Sequence, residues 1–129
     1  PVEPAGGTVL LVEDDEAVRR TLAAMLDALG FAVLVAAEWR EALSLAGRKD
    51  LSIDVLLTDV VMPELSGIEL CRMIKADADI KNIPIFMLTA KGQDSDEQQG
   101  FLCGVSRYIT KPFSPKSLLE MVQEILGKA

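Results

Sequence analysis

The chain has 129 residues, of which 50% are hydrophobic and 26% are charged, and its formal net charge is −7. This length and composition are typical of one globular domain with its own core, and they exclude a disordered or fibrous chain. No apolar run is long enough to span a membrane, and the basic residues are not clustered as in a domain that grips nucleic acid. The sequence contains no histidine, which excludes histidine-based triads, histidine metal sites and a phosphohistidine on these residues.

The first residues and the cysteines indicate the setting of the domain. Residues 1–7 are rich in proline and glycine, and we interpret them as a linker or tail before a domain that spans residues 8–127. Because the chain begins with Pro1 rather than methionine, we expect a processed chain or a part of a longer protein. Cys71 and Cys103 lack the spacing of metal ligands, so we expect core thiols in a reducing, cytoplasmic compartment.

Strand and helix patterns alternate along the chain about five times. Short apolar runs indicate buried strands, and apolar residues three or four positions apart indicate helices. The predicted strands lie at residues 8–12, 31–36, 54–59, 84–88 and 107–110. The predicted helices carry residues 18–29 with a stop at Gly30, residues 39–46 with a stop at Gly47, the segment after Ser66, the polar segment 91–104, and the segment after Ser114-Pro115. This alternation predicts a parallel sheet with helices on both faces and right-handed crossovers.

Polar residues stand at the carboxyl ends of four of these strands. They are Asp14 and Asp15 after the first strand, Asp59 at the end of the third, Thr89 after the fourth and Lys111 after the fifth. Each has an ordinary role by itself, because an acid at a helix start stabilises the positive end of the helix and a strand-end aspartate can cap a turn. In a parallel sheet, however, all these ends meet at one edge, where ligands bind. Their combination therefore predicts one shared site.

The chemistry of this set indicates phosphoryl transfer. Carboxylates from Asp14, Asp15 and Asp59 at separations of about 5 Å would repel by about 3 kcal/mol per pair at an effective dielectric constant of about 20. A Mg²⁺ ion bound through oxygen ligands removes this cost and leaves room for waters and a phosphate. Thr89 can donate a hydrogen bond to a phosphoryl oxygen, and the ammonium group of Lys111 can balance its charge. The set predicts a site with Asp59 as the nucleophile.

These residues stand within longer motifs, which are Asp14-Asp15, Thr58-Asp59 with Met62-Pro63 and Gly67, Thr89-Ala90, and Lys111-Pro112-Phe113. With them the chain, from about residue 8 to residue 126, resembles the receiver domain of two-component response regulators. The resemblance implies an α/β flavodoxin-like (βα)5 fold, a doubly wound parallel sheet of five strands in the order 2-1-3-4-5. It also implies that Asp59 accepts a phosphoryl group from a phosphohistidine on a partner in a Mg²⁺-dependent reaction.

The resemblance further implies roles for single residues and for partners. The implied Mg²⁺ ligands are Asp15 and Asp59 directly, Asp14 through a water, and the backbone carbonyl of Val61. Thr89 and Tyr108 match the pair that rearranges on phosphorylation. The implied partners are a sensor histidine kinase or a histidine phosphotransfer protein, and an effector domain or protein that binds the fourth helix, the fifth strand and the last helix. A phosphorylation-dependent dimer is also allowed, whereas direct binding to nucleic acid or membranes, and catalysis beyond the domain's own phosphorylation and dephosphorylation, are not expected.

Three alternatives share parts of this pattern. A phosphohydrolase of the haloacid dehalogenase type needs a second aspartate two residues after the first, where this chain has Val61. A flavodoxin needs a hydroxyl- and glycine-rich phosphate loop after the first strand, where this chain has Glu13-Asp14-Asp15-Glu16, with Glu13 expected to be a solvated charge. A receiver used only as a scaffold is disfavoured because every acceptor-site position is filled. The cognate kinase, the output and the oligomeric state stay open, and so does the choice between a stand-alone protein, the front of a transcription factor and a module of a hybrid kinase.

Overall fold

The computed structural model describes residues 7–48, 50–59, 67–90, 107–111 and 114–125, and at residues 67, 89, 90, 110, 111, 115 and 125 it describes the backbone alone. Strands and helices alternate up to residue 90, as the sequence predicts, and residues 107–125 add a strand followed by a helix. The strands are β1 (Thr8–Val12), β2 (Ala32–Ala36), β3 (Val55–Asp59), β4 (Ile85–Ala90) and β5 (Arg107–Lys111). The described helices are α1 (Glu16–Ala28), α2 (Trp39–Ala46), α3 (Gly67–Lys75) and α4 (Pro115–Ile125).

The strands form one sheet in the order β2-β1-β3-β4-β5, and every neighbouring pair is parallel. This is the predicted doubly wound fold with the predicted strand order. The chain first adds β2 on one side of β1 and then returns to add β3 on the other side. The crevice at the carboxyl ends of β1 and β3, where the strand order reverses, is the usual ligand site of such a sheet.

The sheet has a separate apolar core on each face. Leu10 and Leu56 belong to the core beneath α2 and α3, whereas Leu11 and Leu57 belong to the core beneath α1 and α4. Adjacent residues enter different cores because successive side chains of a strand point to opposite faces. Burial on both faces explains why these strands are continuous apolar runs in the sequence rather than alternating ones.

Local side-chain hydrogen bonds fix the starts of α2 and α4. At α2, the carboxylate of Glu38 accepts from the backbone N–H of Glu41 at 2.7 Å, and the carboxylate of Glu41 accepts from the N–H of Ala37 at 2.7 Å. This reciprocal pair resembles a capping box, except that Glu41 bonds to the residue before the N-cap Glu38. At α4, Ser114 Oγ accepts from the N–H of Ser117 at 3.1 Å, so Ser114 caps the helix that the sequence predicts after Ser114-Pro115.

β2 begins one residue later than predicted because of the way α1 ends. The N–H of Phe31 donates to the carbonyl of Leu26 at 3.1 Å, and the N–H of Gly30 donates to that of Asp27 at 3.0 Å. Gly30 has a φ of 96°, so the arrangement is a Schellman cap with glycine in the left-handed region. Phe31 is therefore part of the helix end, and β2 begins at Ala32.

β4 and β5 extend further than predicted, to Ala90 and Lys111, because these two residues still pair with each other. The predicted core position of Cys71 is confirmed, since this thiol is buried. The predicted helix at residues 91–104, together with Val61 and Cys103, lies outside the described residues. Within the described residues, no helix is long and apolar enough to cross a membrane.

Candidate functional site

The central strand of the sheet ends in a carboxylate that lies between two other strand ends. β3 is flanked by β1 and β4. Thr58 pairs with Val12, the last residue of β1, and Asp59 pairs with Leu88 of β4. One position beyond the last β1–β3 pair, Glu13 and Asp59 lie at the ends of these two adjacent strands. Asp59 is half-buried, so part of its side chain is accessible at this edge.

The backbone brings two other predicted residues to the same edge. Thr89 follows directly after the β4 residue that pairs with Asp59, and it pairs in turn with Thr110. Lys111 is the last residue of β5 and pairs with Ala90. The strand ends on one side of Asp59 therefore carry Thr89 on the adjacent strand and Lys111 one strand further away, as the sequence predicts.

Asp14 and Asp15 lie in the connection between β1 and α1, and both are exposed. Asp15 is the N-cap of α1, with extended backbone angles and with Oδ1 accepting from the N–H of Val18 at 3.0 Å. Asp15 therefore caps α1 through a hydrogen bond, a role more specific than the pairing with the helix dipole that the sequence indicated. This bond uses one carboxylate oxygen, and a carboxylate has a second oxygen that can accept further donors or a cation.

Arg19 holds the same connection, and sequence analysis missed it. Its Nη1 donates to the backbone carbonyl of Glu13 at 3.0 Å and makes a longer contact with that of Asp14 at 3.5 Å. Its neighbour Arg20 instead forms an exposed ion pair with Glu16 at 2.6 Å. The two arginines cannot be distinguished by residue type, and only the rotation of α1 against β1 decides which of them contacts the connection.

Glu13 differs from the prediction, because it is 3% exposed rather than solvated. Its backbone N–H donates to the carbonyl of Ala36 at 3.0 Å, which continues the β1–β2 hydrogen bonding one residue beyond β1. The residue therefore belongs to the sheet more than to the loop. Strand alternation gives Glu13 the direction of Val9 and Leu11, which are buried on the face of α1 and α4.

Thr58 and Tyr108 flank the site within the sheet. Thr58 is fully buried, and its hydroxyl donates to the backbone carbonyl of Asp59 at 3.1 Å. Tyr108 is half-buried, pairs with Met87 and packs against the core beneath α2 and α3. Since Thr89 stands two positions after Met87, the predicted switch residues lie on neighbouring strands with an offset of two positions.

The donor chemistry at this edge fits Mg²⁺. The predicted ligands from Asp14, Asp15 and Asp59 are all oxygens, and Mg²⁺ prefers oxygen ligands and commonly binds one or two carboxylates together with waters. Among the residues that the structure describes, no group of three histidine, cysteine, aspartate or glutamate side chains is close enough to hold a metal ion. The fourth predicted ligand, Val61, lies outside those residues. The convergence of the carboxylates on one ion therefore stays a prediction.

Comparison with known proteins adds sequence relatives to this geometry. A family model described as "Response regulator receiver domain" matches residues 9–123. The chain is 39% identical to the phosphate regulon transcriptional regulatory protein PhoB of Pseudomonas aeruginosa, over 95% of this chain and 53% of PhoB. It is 41% identical to the transcriptional regulatory protein ResD of Bacillus subtilis, over 95% of this chain and 49% of ResD. The chain thus spans about half the length of these curated relatives.

A solved structure agrees with this family match. The receiver domain of the sensor histidine kinase PA1611 from Pseudomonas aeruginosa superposes with a TM-score of 0.85 at 32% identity, over 95% of this chain and 99% of that chain. That structure was solved with a magnesium ion coordinated in its active-site cleft. Because the family model covers most of the chain and the fold superposes closely on that of a solved receiver domain, the chain belongs to the response regulator receiver domains, the signalling domains of two-component systems.

Proposed function

We propose that Asp59 accepts a phosphoryl group from a phosphohistidine on a sensor histidine kinase or a histidine phosphotransfer protein. A carboxylate oxygen of Asp59 attacks the phosphorus, the bond between phosphorus and the imidazole nitrogen breaks, and the imidazole leaves. The observation that carries this proposal is the position of Asp59 at the end of the central strand, between the ends of β1 and β4. The sheet fixes the backbone of this residue, while part of its side chain stays accessible to a partner.

The residues proposed to hold Mg²⁺ are Asp14, Asp15, Asp59 and, through its backbone carbonyl, Val61. When bound, the ion would offset the negative charges of the carboxylates and of the phosphoryl oxygens. Two observations support this assignment. The donors are all oxygens, and a receiver domain of the same fold was solved with magnesium in its cleft. Arg19 would position Asp14 within this set, because it bonds to the backbone of the β1–α1 connection.

Two residues on the other side of Asp59 are proposed to contact the phosphoryl group. Thr89 would donate a hydrogen bond to one phosphoryl oxygen, and Lys111 would balance the added charge as a compact ammonium. The phosphoryl group and Thr89 would then change the surroundings of Tyr108. The surface that responds would be the predicted helix at residues 91–104 together with β5 and α4.

This response would serve as a signal to another domain or protein. The curated relatives are transcriptional regulators about twice as long as this chain, which supports an effector outside residues 8–127. The catalysis that we assign to the chain is limited to its own phosphorylation and dephosphorylation. We place it in the cytoplasm, a reducing compartment that suits the buried free thiol of Cys71.

Labelling by a small phosphodonor tests the acceptor directly. Acetyl phosphate with Mg²⁺ should add one phosphoryl group to the chain, measured by intact-protein mass spectrometry, and Asp59→Asn should abolish the addition. Asp54→Asn is the matched control, because Asp54 is also half-buried and lies just before the opposite end of β3. Its Oδ2 accepts from the N–H of Thr8 at 2.7 Å, and asparagine keeps an oxygen for this bond.

The two variants together decide the assignment. Asp54→Asn should be labelled as the wild type is, which would show that loss of a half-buried carboxylate next to β3 does not by itself prevent the reaction. Undiminished labelling of Asp59→Asn would assign the acceptor to another residue.

A further inference from the structure

The outer edge of β2 is an apolar strand edge without charge. β2 is the outermost strand on its side of the sheet and consists of Ala-Val-Leu-Val-Ala. β5, the strand at the other edge, contains Arg107 and Lys111. Natural proteins commonly protect edge strands with charges or proline, because the unpaired backbone groups of an edge can pair with another strand. β5 carries this protection, and β2 does not.

The hydrogen bonds to β1 show which backbone groups of β2 face outwards. The N–H of Ala32 and the carbonyl of Ala36 bond to the residues that flank β1, at 3.1 and 3.0 Å. Alternate residues of a strand direct their N–H and carbonyl groups to the same side, so Leu34 also bonds to β1. The backbone N–H and carbonyl groups of Val33 and Val35 therefore point outwards, away from β1. Among the described residues, no strand or side chain pairs with these outward groups.

The outward groups of β2 are complementary to those of a second copy. When two such strands run antiparallel about a twofold axis at Leu34, Val33 of each copy stands opposite Val35 of the other. Opposite residues of this type exchange both of their N–H to carbonyl bonds, so the two Val33–Val35 pairs make four hydrogen bonds. The two Leu34 residues stand opposite each other and form no hydrogen bonds with each other, because the N–H and carbonyl groups of each Leu34 bond to β1 of its own copy.

The side chains of β2 fit the same arrangement. The sequence of the strand is symmetric about Leu34, so the antiparallel register also places Ala32 opposite Ala36 and brings no like charges together. Val35 is 43% exposed, and Ala32 is exposed as well, so the neighbouring helices leave this edge open. Pairing would cover Val35 with the valine of the other copy on the same face of the sheet.

We propose that the outer edge of β2 is a self-association surface, at which a second copy of this chain extends the five-stranded sheet into a continuous sheet of ten strands. The contact is isologous, as expected for a twofold dimer. It is also small, so it belongs to the weak class of interfaces, and we expect a dissociation constant of about 0.1–1 mM. The surface is on the opposite side of the sheet from β5 and contains no residue of the phosphoryl-transfer site. The proposal is therefore independent of the proposed function.

Sedimentation velocity of the unphosphorylated chain, from about 10 µM to about 1 mM, measures this association. Val35→Pro removes one outward N–H per copy, and therefore two of the four bonds, but no bond to β1. Two lost hydrogen bonds should weaken the association by about tenfold or more. Val35→Lys, which adds a charge at the edge, is a second variant in case proline disturbs folding. Met73→Lys on α3 is its control, since Met73 is 38% exposed, undergoes the same change in charge and should associate as the wild type does.

Cysteine cross-linking tests the register. Leu34→Cys should form an intermolecular disulfide on mild oxidation, because opposite residues of a pair without hydrogen bonds have Cα atoms about 4.5 Å apart. Ala32→Cys, whose partner in this register is Ala36, should cross-link no more than the wild type. The proposal is overturned by a wild-type chain that stays monomeric at about 1 mM, by unchanged association of both folded Val35 variants, or by cross-linking of Ala32→Cys as efficient as that of Leu34→Cys.

Discussion

At the scale of single residues, Asp15 combines a structural role with a proposed metal-binding one. Removal of the Asp15 carboxylate has two opposing effects on stability. It would stabilise the domain by relieving repulsion from the other carboxylates of the site, and it would destabilise the domain by removing the hydrogen bond to the N–H of Val18. The repulsion of about 3 kcal/mol per pair applies only to charges about 5 Å apart. Because the described carboxylates do not gather into a group of three, we expect the capping effect to exceed the repulsion.

Asp15→Ala should therefore lower the free energy of unfolding in metal-free buffer by about 1 kcal/mol. For a domain of this size, that is a fall of about 3–5 °C in melting temperature. Asp15→Asn should stay close to the wild type, because asparagine caps helices as well as aspartate does. Thermal melts followed by circular dichroism in the presence of EDTA measure both effects.

Asp14→Ala is the control for these melts, because Asp14 is exposed in the same connection and does not cap α1. It should cost little stability in EDTA, yet both Asp14→Ala and Asp15→Asn should reduce the stabilisation that Mg²⁺ gives to the wild type. Equal losses for Asp15→Ala and Asp15→Asn would mean that the charge, rather than the capping bond, stabilises the start of α1.

The strand-end positions of the proposed site residues could be predicted from sequence, but the contacts that support these positions could not. The position of Asp59 was predictable because a mainly apolar strand ends at it. Lys111 likewise ends β5, and Thr89 follows the apolar run of β4 one residue before that strand ends. The burial of Glu13 depends on its bond to Ala36, a residue on another strand. The contact of Arg19 depends on the rotation of α1. Neither dependence leaves a local pattern in the sequence.

At the scale of elements, two glycines end two helices in different conformations. Gly30 ends α1 with a φ of 96°, whereas Gly47 ends α2 with a φ of −84°. A left-handed conformation costs residues with a Cβ about 1–2 kcal/mol. Gly30→Ala should therefore destabilise the domain by about 1 kcal/mol or more, measured as a lower midpoint of urea unfolding at an unchanged slope.

Gly47→Ala is the matched control for that measurement. A Cβ at Gly47 would meet the carbonyl oxygen of Leu43 at 3.4 Å, which is an ordinary contact, and its backbone angles suit alanine. The substitution should be neutral or stabilise by up to about 1 kcal/mol, since it restricts the unfolded chain. If Gly47→Ala proves as destabilising as Gly30→Ala, the difference in φ does not account for the stability of the helix ends.

The order and type of the described elements were predictable because each one buries a continuous or periodic set of apolar residues. The first and last residues of the elements were less predictable, because they depend on contacts with other parts of the chain. The sequence indicates that Gly30 and Gly47 both stop helices, but the sign of φ depends on where the next strand must begin. β4 reaches Ala90 because β5 is beside it and reaches Lys111, and this pairing is long-range information.

At the scale of the whole molecule, the strand register connects the site to the far edge of the sheet. Asp59 pairs with β4, and β4 pairs with β5 through Tyr108. At its first residue, β5 contacts α4 through the ion pair of Arg107 with Glu124. A change at the end of β3 therefore has a contiguous path of paired strands to the surface formed by β5 and α4.

The proposed phosphoryl group on Asp59 would act on this path through Thr89. A hydrogen bond to a charged group contributes about 1.5–3 kcal/mol, which can shift a two-state equilibrium by about tenfold to a hundredfold. A shift of that size requires the active state to be populated to a minor extent before phosphorylation. Thr89→Ala should remove this contribution while leaving Asp59, the metal ligands and Lys111 in place. The variant should therefore still be labelled by acetyl phosphate but should fail to transmit the change to Tyr108.

Tyr108 is the single tyrosine of the chain, so incorporation of 3-fluorotyrosine gives one fluorine NMR signal that reports its surroundings. Addition of beryllofluoride and Mg²⁺, which mimic the phosphorylated state, should shift this signal in the wild type. The shift should be lost in Thr89→Ala and retained in Thr21→Ala. Thr21 is a matched control at an exposed position of α1, and its hydroxyl donates to the carbonyl of Ala17 at 2.9 Å. An equal shift in Thr89→Ala and in the wild type would mean that the change reaches β5 by a route other than Thr89. Since Tyr108 packs against the core beneath α2 and α3, such a route would run through that core rather than along the strand ends.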